Sequence, residues 1–411
     1  MAKYVKTEQG YIDITNFALA PFKSECEPYL TFSSLNNFTL SVNDRTKHWD
    51  GTLEYFTSDK TWATWDGTSH LHAVSDYGGY VLHLRGIRNT VITGLNSKYK
   101  WVLNGNDIAC VGNIENLLDY TIVESGDHPT LAVGCYAYMF QDCTALTQAP
   151  SLPATTLANS CYAYMFQGCT ALTQAPLLPA TTLANYCYSG MFAGCTALTQ
   201  APSLPATTLA NSCYSVMFQD CTALTQAPSL PATTLANYCY SGMFQGCTAL
   251  TQAPSLPATT LANGCYFNMF LRCTALTQAP SLPATTLANS CYETMFGSCT
   301  SLKLSSTQTD EYTQEYRITS SGNGTTAAHA LSGMFASTGG TFTGTPEINT
   351  TYYLSSDNMI IRETELATLN GYVKAMIEAS EYIIPSSTSG STKKFKITVD
   401  DTGTISATEV T

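Results

Sequence analysis

From Cys135 onward the apolar and polar positions of the chain fall into one phrase that repeats. It opens CYxxMFxxC, with apolar residues at relative positions 0, 1, 4, 5 and 8, an i, i+4, i+8 stripe that predicts a short helix. It continues TALTQAPSLPATTLAN, where Pro150 and Pro153 of the first copy bar a continuous helix, because proline lacks the backbone donor and restricts the residue before it. This half predicts a short strand near 146–149, then an extended turn leading back to the next helix. The predicted core of the first copy is Cys135, Met139, Phe140, Cys143, Leu146, Leu152 and Leu157.

The opening cysteine stands at Cys135, Cys161, Cys187, Cys213, Cys239, Cys265 and Cys291, always 26 residues apart. The second stands at Cys143, Cys169, Cys195, Cys221, Cys247, Cys273 and Cys299. After an insertion over 303–329, LSGMF recurs at 331–335, with Ala330 and Thr338 in the cysteine columns, as a decayed eighth copy. One such unit cannot close a hydrophobic core alone, but stacked units can, with strands about 4.8 Å apart and a strand spine about 35 Å long. An altered last unit ends the stack. The expected fold class is an α/β repeat solenoid of 26-residue units, leucine-rich-repeat-like, each a short helix plus a short strand. Expected boundaries are an extended arm at 1–27, a β-sandwich-like cap at 28–134, and the solenoid at 135–354 (regular repeats 135–302, degenerate repeat 330–354). A C-terminal helix, linker and β-hairpin would fill 355–411.

Charge narrows the function classes. The 30 acidic and 18 basic residues give a formal charge of −12, which argues against a nucleic-acid partner, since phosphate binding needs clustered Lys and Arg. The start, MAKYVKTEQGYIDITNF, lacks the apolar region of an export signal, and no apolar run approaches the roughly 20 residues of a membrane span. Sixteen cysteines are present, fourteen of them in the repeat columns. On a helix the two of one repeat would lie about 12 Å apart, beyond the reach of a disulfide. The columns therefore read as reduced structural ladders, with inter-repeat disulfides or metal as the alternatives. Metal is disfavoured by the lack of histidine in the repeats.

The copies supply an internal comparison. Their second halves are nearly invariant, and changes concentrate beside the first cysteine and after the phenylalanine. On a helix those positions face away from the apolar stripe and into solvent. One reading is drift on a solvated face. A second makes Tyr138, Tyr164, Tyr186, Tyr238, Phe267, Leu271 and Arg272 contacts for a ligand or partner, since aromatics supply rigid area at low entropic cost. A third takes the stacked Thr147 and Gln148 columns as a neutral lattice for glycans or self-association. Between Cys135 and Leu302 the only charged residues are Asp142, Asp220, Arg272 and Glu293, so such a surface would bind through multivalency.

In the third copy Phe192, Cys195, Thr196, Ala197, Leu198 and Pro202 form a phrase that resembles the bacterial surface-antigen (BspA-like) leucine-rich repeats: an aromatic, a cysteine, a small-x-Leu and a proline. The longer CYxxMF segment looks like repeats of gut Bacteroidetes proteins and of the phages that infect them. The resemblance covers about half the chain and implies a surface-adhesion role.

Residues 28–134 hold all four tryptophans and several alternating runs, FTLSV, TLEYFTS, TWATW, GYVLHLRG and KWVLNG, punctuated by Asp-Gly and Gly-Gly, which predicts a small β domain closing one end of the array. Trp49, Trp62, Trp65 or Trp101 would serve a carbohydrate-binding role there. His70 and His72, with His83, form an H-x-H without a companion ligand at a diagnostic spacing and read as ordinary surface. Residues 362–380 have helical apolar spacing, 385–392 read as a linker, and KKFKITVDDTGTISATEV reads as a hairpin. Since a lone hairpin is marginal, Phe395, Ile397, Val399 and Ile405 are candidate assembly contacts. That tail looks similar to those of phage fibre and virion proteins.

No nucleophile elbow, phosphate loop or zinc-protease motif occurs. The expectation is therefore a non-enzymatic phage virion protein, a head or tail fibre or decoration protein, without cofactor. Its partners would be other virion proteins, further copies of itself (a trimer being one form) and a host surface protein or glycan. The alternatives are a bacterial cell-surface adhesin and a purely structural spacer.

Overall fold

The computed structural model describes residues 4–7, 10–13, 29–76, 78–319 and 327–355, and the strands at 382–385, 394–399 and 405–410. The chain forms two compact units, Met1–Met359 and Ile360–Thr411. The described residues are mostly β, in several sheets, with one α-helix, Asn116–Glu124.

The first unit begins with Tyr4–Thr7 paired antiparallel to Gly10–Asp13. A seven-stranded sheet follows, ordered Leu146–Gln148, Ile108–Val111, Leu30–Ser34, Gly79–Ile87, Thr52–Phe56, Trp62–Trp65, with Val74–Asp76 also on Gly79–Ile87. Trp101–Asn104, Thr39–Val42 and Leu71–His72 form a smaller three-stranded sheet. The alternating runs thus become strands, and their inward positions, Phe32, Leu40, Leu53, Trp65 and Trp101, form a core shielded from water. Asn89 ties this region to the helix: its side-chain Nδ2 donates to the carbonyls of Thr52 (2.8 Å) and Leu117 (2.9 Å).

The predicted helix over CYxxMFxxC is a run of reverse turns instead. Ala137, Met139, Gln141 and Cys143 donate their N–H to the carbonyls of Gly134, Tyr136, Tyr138 and Phe140, three residues back in the same coil, at 2.9–3.2 Å. The residues between them, Tyr136, Tyr138, Phe140 and Asp142, donate outward to Cys161, Ala163, Met165 and Gln167 of the next coil, at 2.7–2.9 Å. Every fourth residue is left-handed: Gly134, Tyr138 and Asp142 have φ of 65°, 61° and 61°. An α-helix of L-residues excludes that conformation. The apolar stripe therefore reports a four-residue period of paired turns, which nine residues cannot separate from a helical 3.6. The expected α/β class is corrected to a mostly β one.

The second half of the unit is also less regular than expected. Leu146–Gln148 is a strand because Ile108–Val111 lies parallel beside it. In later coils single parallel bridges remain, Gln174 to Gln200 to Gln226 and Thr156 to Thr182 to Thr208 to Thr234 to Thr260. Two prolines in each unit remove ladder donors and leave isolated contacts in place of a continuous sheet.

Inside the stack lie aromatic ladders. Tyr136, Tyr162, Tyr188, Tyr214, Tyr240, Tyr266 and Tyr292 stack at 5.6–5.9 Å between ring centroids, with planes within 8°. The Phe140 column runs parallel to it and continues across the insertion, where Phe335 stacks on Phe296 at 5.4 Å. Methionines and cysteines of both columns are fully buried beside them. Tyr136, left out of the predicted core, is fully buried, whereas Leu157 is only half-buried.

Both ends of the stack are closed. At the first coil the N–H groups of Ile92 and Thr93 reach Cys135 O, and that of Trp101 reaches Met139 O. The buried Thr93 hydroxyl donates to Ala137 O at 2.7 Å. At the last coil Phe335 and Gly344 exchange backbone hydrogen bonds of 2.8 and 3.0 Å, and Gly333 N–H donates to Thr345 Oγ1 at 2.8 Å. Beyond it Tyr312–Arg317, Thr351–Ser355, Lys303–Ser305 and Gly339–Gly340 form a four-stranded sheet.

The second unit holds a three-stranded antiparallel sheet in place of the expected two-stranded hairpin. Tyr382–Pro385 pairs with the free edge of Lys394–Val399, whose other edge takes Ile405–Val410. Phe395 stands opposite Ile384 and Glu409, Ile397 opposite Tyr382 and Ala407, and Val399 opposite Ile405. The helix expected over 362–380 lies outside the described residues, as does the linker after Pro385.

Candidate functional site

The variable positions of the repeat fall on the turn face, in columns that run along the stack. Three columns hold the left-handed residues: the one from Gly134 to Ser290, the one from Tyr138 to Thr294, and the one from Asp142 to Ser298. Glycine is the most frequent residue there because it adopts positive φ at least cost. That enrichment was the signal in the sequence that distinguishes turns from helix. Val216 and Thr294, at φ 48° and 50°, hold it despite β-branching.

Side chains of this face lean along the stack onto the next coil. A Cβ added at Gly190 would run into the Tyr164 ring, one at Gly264 into the Tyr238 ring, and one at Gly242 into Val216. Likewise Asp142 covers Gly168 and Asp220 covers Gly246. At these five places a larger residue in one coil is received by glycine in the following one.

The aromatic candidates separate into two groups. Tyr138 and Tyr164 stack on each other at 5.2 Å with planes 3° apart, and both are half-buried. Phe267 and Leu271 are half-buried, and Arg272 is exposed at φ 64°. Tyr186 and Tyr238 stand out at 51% and 47% exposure. They occupy the same column, two coils apart, with the buried Ser212 between them. Leu177, where the other copies have serine, is exposed as well.

Next to the tyrosines runs an asparagine ladder that the sequence reading missed. The side-chain oxygens of Asn159, Asn185, Asn211 and Asn237 accept the backbone N–H of Asn185, Asn211, Asn237 and Asn263 at 3.0–3.2 Å. Each oxygen is engaged in the ladder, so the amide NH2 is the group left to donate; Asn159, Asn211, Asn237 and Asn263 are exposed and Asn185 is half-buried. The sequence signal was the Asn at this place in the first six copies, from Asn159 to Asn289. In the Thr/Gln columns Gln148, Thr173, Gln174, Thr199, Gln200, Thr225 and Gln226 are exposed, while Thr147, Thr277 and Gln278 are half-buried.

The cysteines are interior groups. All fifteen described ones are free and buried. In the second column Cys143 donates to the Trp101 carbonyl at 3.4 Å, and from Cys169 onward each thiol donates to the Phe carbonyl of the preceding coil, as in Cys169 to Phe140 and Cys195 to Phe166, both 3.1 Å. Burial pushes the Cys187 and Cys195 thiols up to about 12, and that of Cys291 to about 11. No group of three His, Cys, Asp or Glu able to hold a metal occurs among the described residues.

The tryptophans, the histidines and the acids of the N-terminal region are dispersed. Trp49, Trp65 and Trp101 are buried, Trp49 tilted against Trp65 at 5.1 Å between ring centroids and Trp65 edge-on to Trp101. They build the core and expose no face to a sugar. Trp62 is half-buried under the Arg85 guanidinium, 4.1 Å from its ring centre. His70 and His72 are exposed near the strand Leu71–His72, while His83 lies in the other sheet and bonds Thr31 Oγ1 at 2.9 Å. Asp107 is exposed. Glu115 is buried, and burial raises its pKa despite the His128 ring nitrogen at 2.7 Å. Asp119 is also buried, but the Thr121 hydroxyl and the backbone N–H of Arg88 and Thr121 outweigh burial and lower its pKa.

No family model, no curated protein and no solved structure matches this chain.

Proposed function

We propose that the chain is a non-enzymatic adhesive protein of a phage virion, in which the stacked coils present a neutral surface to host cells or to glycans such as those of mucin. The observation that carries this reading is the coil stack itself. Its register repeats the same uncharged Thr, Gln, Asn and Tyr positions along one axis, which multiplies weak contacts. The finer reading, kinship with the BspA-like leucine-rich repeats, rests on the repeat phrase.

The thiols favour a virion over an exported bacterial adhesin. The second-column Sγ–H groups act as donors to carbonyls, which requires the reduced state that a bacterial cytoplasm maintains. Virion parts fold there before assembly. Among the described residues no further strand pairs with the two outer strands of the three-stranded C-terminal sheet, and such edges accept further strands. Assembly through this unit, with Phe395, Ile397, Val399 and Ile405 at the contact, is part of the proposal.

Two measurements test it. Labelled full-length protein should adhere to mucin-coated surfaces or to gut-bacterial cells and be displaced by excess unlabelled protein; no adhesion to either would overturn the adhesive reading. Light scattering should give an oligomer for the full chain and a monomer once 386–411 are removed. The same state in both would remove the assembly role.

A further inference from the structure

Tyr186 and Tyr238 are the two largely exposed aromatic side chains of the coil stack. They share one column, so the two-coil offset places them about 10 Å apart along the axis. The column between and beyond them is cleared: Ser212 is buried, and Gly264 has no Cβ where the Tyr238 ring lies. The backbone beneath is held rigidly, since Tyr186 N–H donates to Asn211 O at 3.0 Å and Tyr238 N–H to Asn263 O at 2.9 Å. The asparagine ladder beside them offers NH2 donors at every coil. From Tyr164 to Asn268 the only charge is Asp220, in a different column.

A ligand for this strip must be uncharged, carry flat C–H faces that stack on phenol rings, and have hydroxyls at its edge for the amides. It must also present two such faces at a fixed separation of about two coil rises, or 10 Å. A linear β-linked glycan meets all four conditions. It is an extended ribbon of pyranose rings in which every second ring presents the same face, so rings two apart fall on the two tyrosines. A compact or branched sugar reaches only one plate, and an anionic polymer finds no cation. We infer that Tyr186 and Tyr238 form a two-plate subsite for a neutral, linear β-linked oligosaccharide, with Asn185, Asn211 and Asn237 as edge donors. The inference rests on the adhesive reading and names the ligand class for it.

The test uses the full chain and β-1,4-linked oligosaccharides of glucose and of N-acetylglucosamine, from dimer to hexamer, titrated by calorimetry. Affinity should rise about tenfold or more once the oligomer is long enough to span both rings. Tyr186→Ser and Tyr238→Ser should each abolish that rise. Serine is the native residue of the same column at Ser160, Ser212 and Ser290, so the fold tolerates it, and an unchanged melting midpoint confirms this. Affinity independent of length, an undiminished rise in either serine variant, or no binding of either series overturns the subsite. If the oligosaccharides fail while the protein still adheres to mucin or cells, the subsite alone is wrong; if adhesion fails as well, the adhesive reading goes with it.

Discussion

Glycine on the turn face does two things at once. At Gly190 it supplies φ of 60° and leaves room for the Tyr164 ring. Gly190→Ala should therefore cost more than the roughly 1 kcal/mol of a left-handed alanine, because the ring must also move. Replacing Tyr164 by glycine, which the same column already uses at Gly190 and Gly242, should return the alanine cost to that backbone value. A double-mutant cycle in urea measures the coupling, and additivity would show that the ring does not rest on Gly190. Asp119 makes a second residue-level case. Its folded pKa is lowered below 3.8, so its contribution is present above that ordinary value and is lost as pH falls through the folded one. Asp119→Asn should cost about 1–2 kcal/mol at pH 7, and the deficit should vanish in strong acid; a deficit independent of pH would contradict the assignment. The interior thiols give a third. With pKa values of about 11 to 12 at Cys187, Cys195 and Cys291, they should resist alkylation at pH 8 in the native chain and react only on unfolding. Mass spectrometry of a Cys26→Ser variant reads this as the number of labels taken up.

At the scale of the element, the unit is a coil whose hydrogen bonds alternate between its own turns and the next coil. Such a coil leaves carbonyls open at one end of the stack and N–H groups at the other. The N-terminal sheets satisfy the first set and the Gly344–Thr345 segment the second. Thr93→Val keeps the side-chain shape but strands the buried Ala137 carbonyl, and should cost about 1–3 kcal/mol. Hydrogen exchange should then quicken in the first coil before the others. Uniform quickening would mean that the cap is not a local closure. The helix read into CYxxMFxxC shows why this element was misread. Turn pairs with a left-handed residue every fourth position imitate a helical stripe, and only the glycine content of those positions tells the two apart.

For the whole molecule, stability is approximately a sum over coils and their interfaces, so a coil should be removable if its neighbours still fit. Deleting 213–238 joins coils in which Gly190 meets Gly242 and Ser212 meets Gly264, and should give a folded, shorter stack. Deleting 187–212 instead sets the Tyr164 ring on Val216, and should lower the melting midpoint further than the first deletion does. Equal midpoints would show that copies are interchangeable. By itself the sequence determined the 26-residue register, the buried cysteine, methionine and phenylalanine ladders, the alternating strands of the N-terminal region and the scarcity of charge along the array, because a repeat must bury the same columns in every copy. The tertiary structure decided the rest. Turns replaced helices because inter-coil hydrogen bonds claim every second N–H group. Tyr136 went inside while Tyr186 and Tyr238 stayed out, because Tyr136 stands between two left-handed corners of the coil whereas Tyr186 and Tyr238 occupy such corners, and apolar spacing alone does not carry that information.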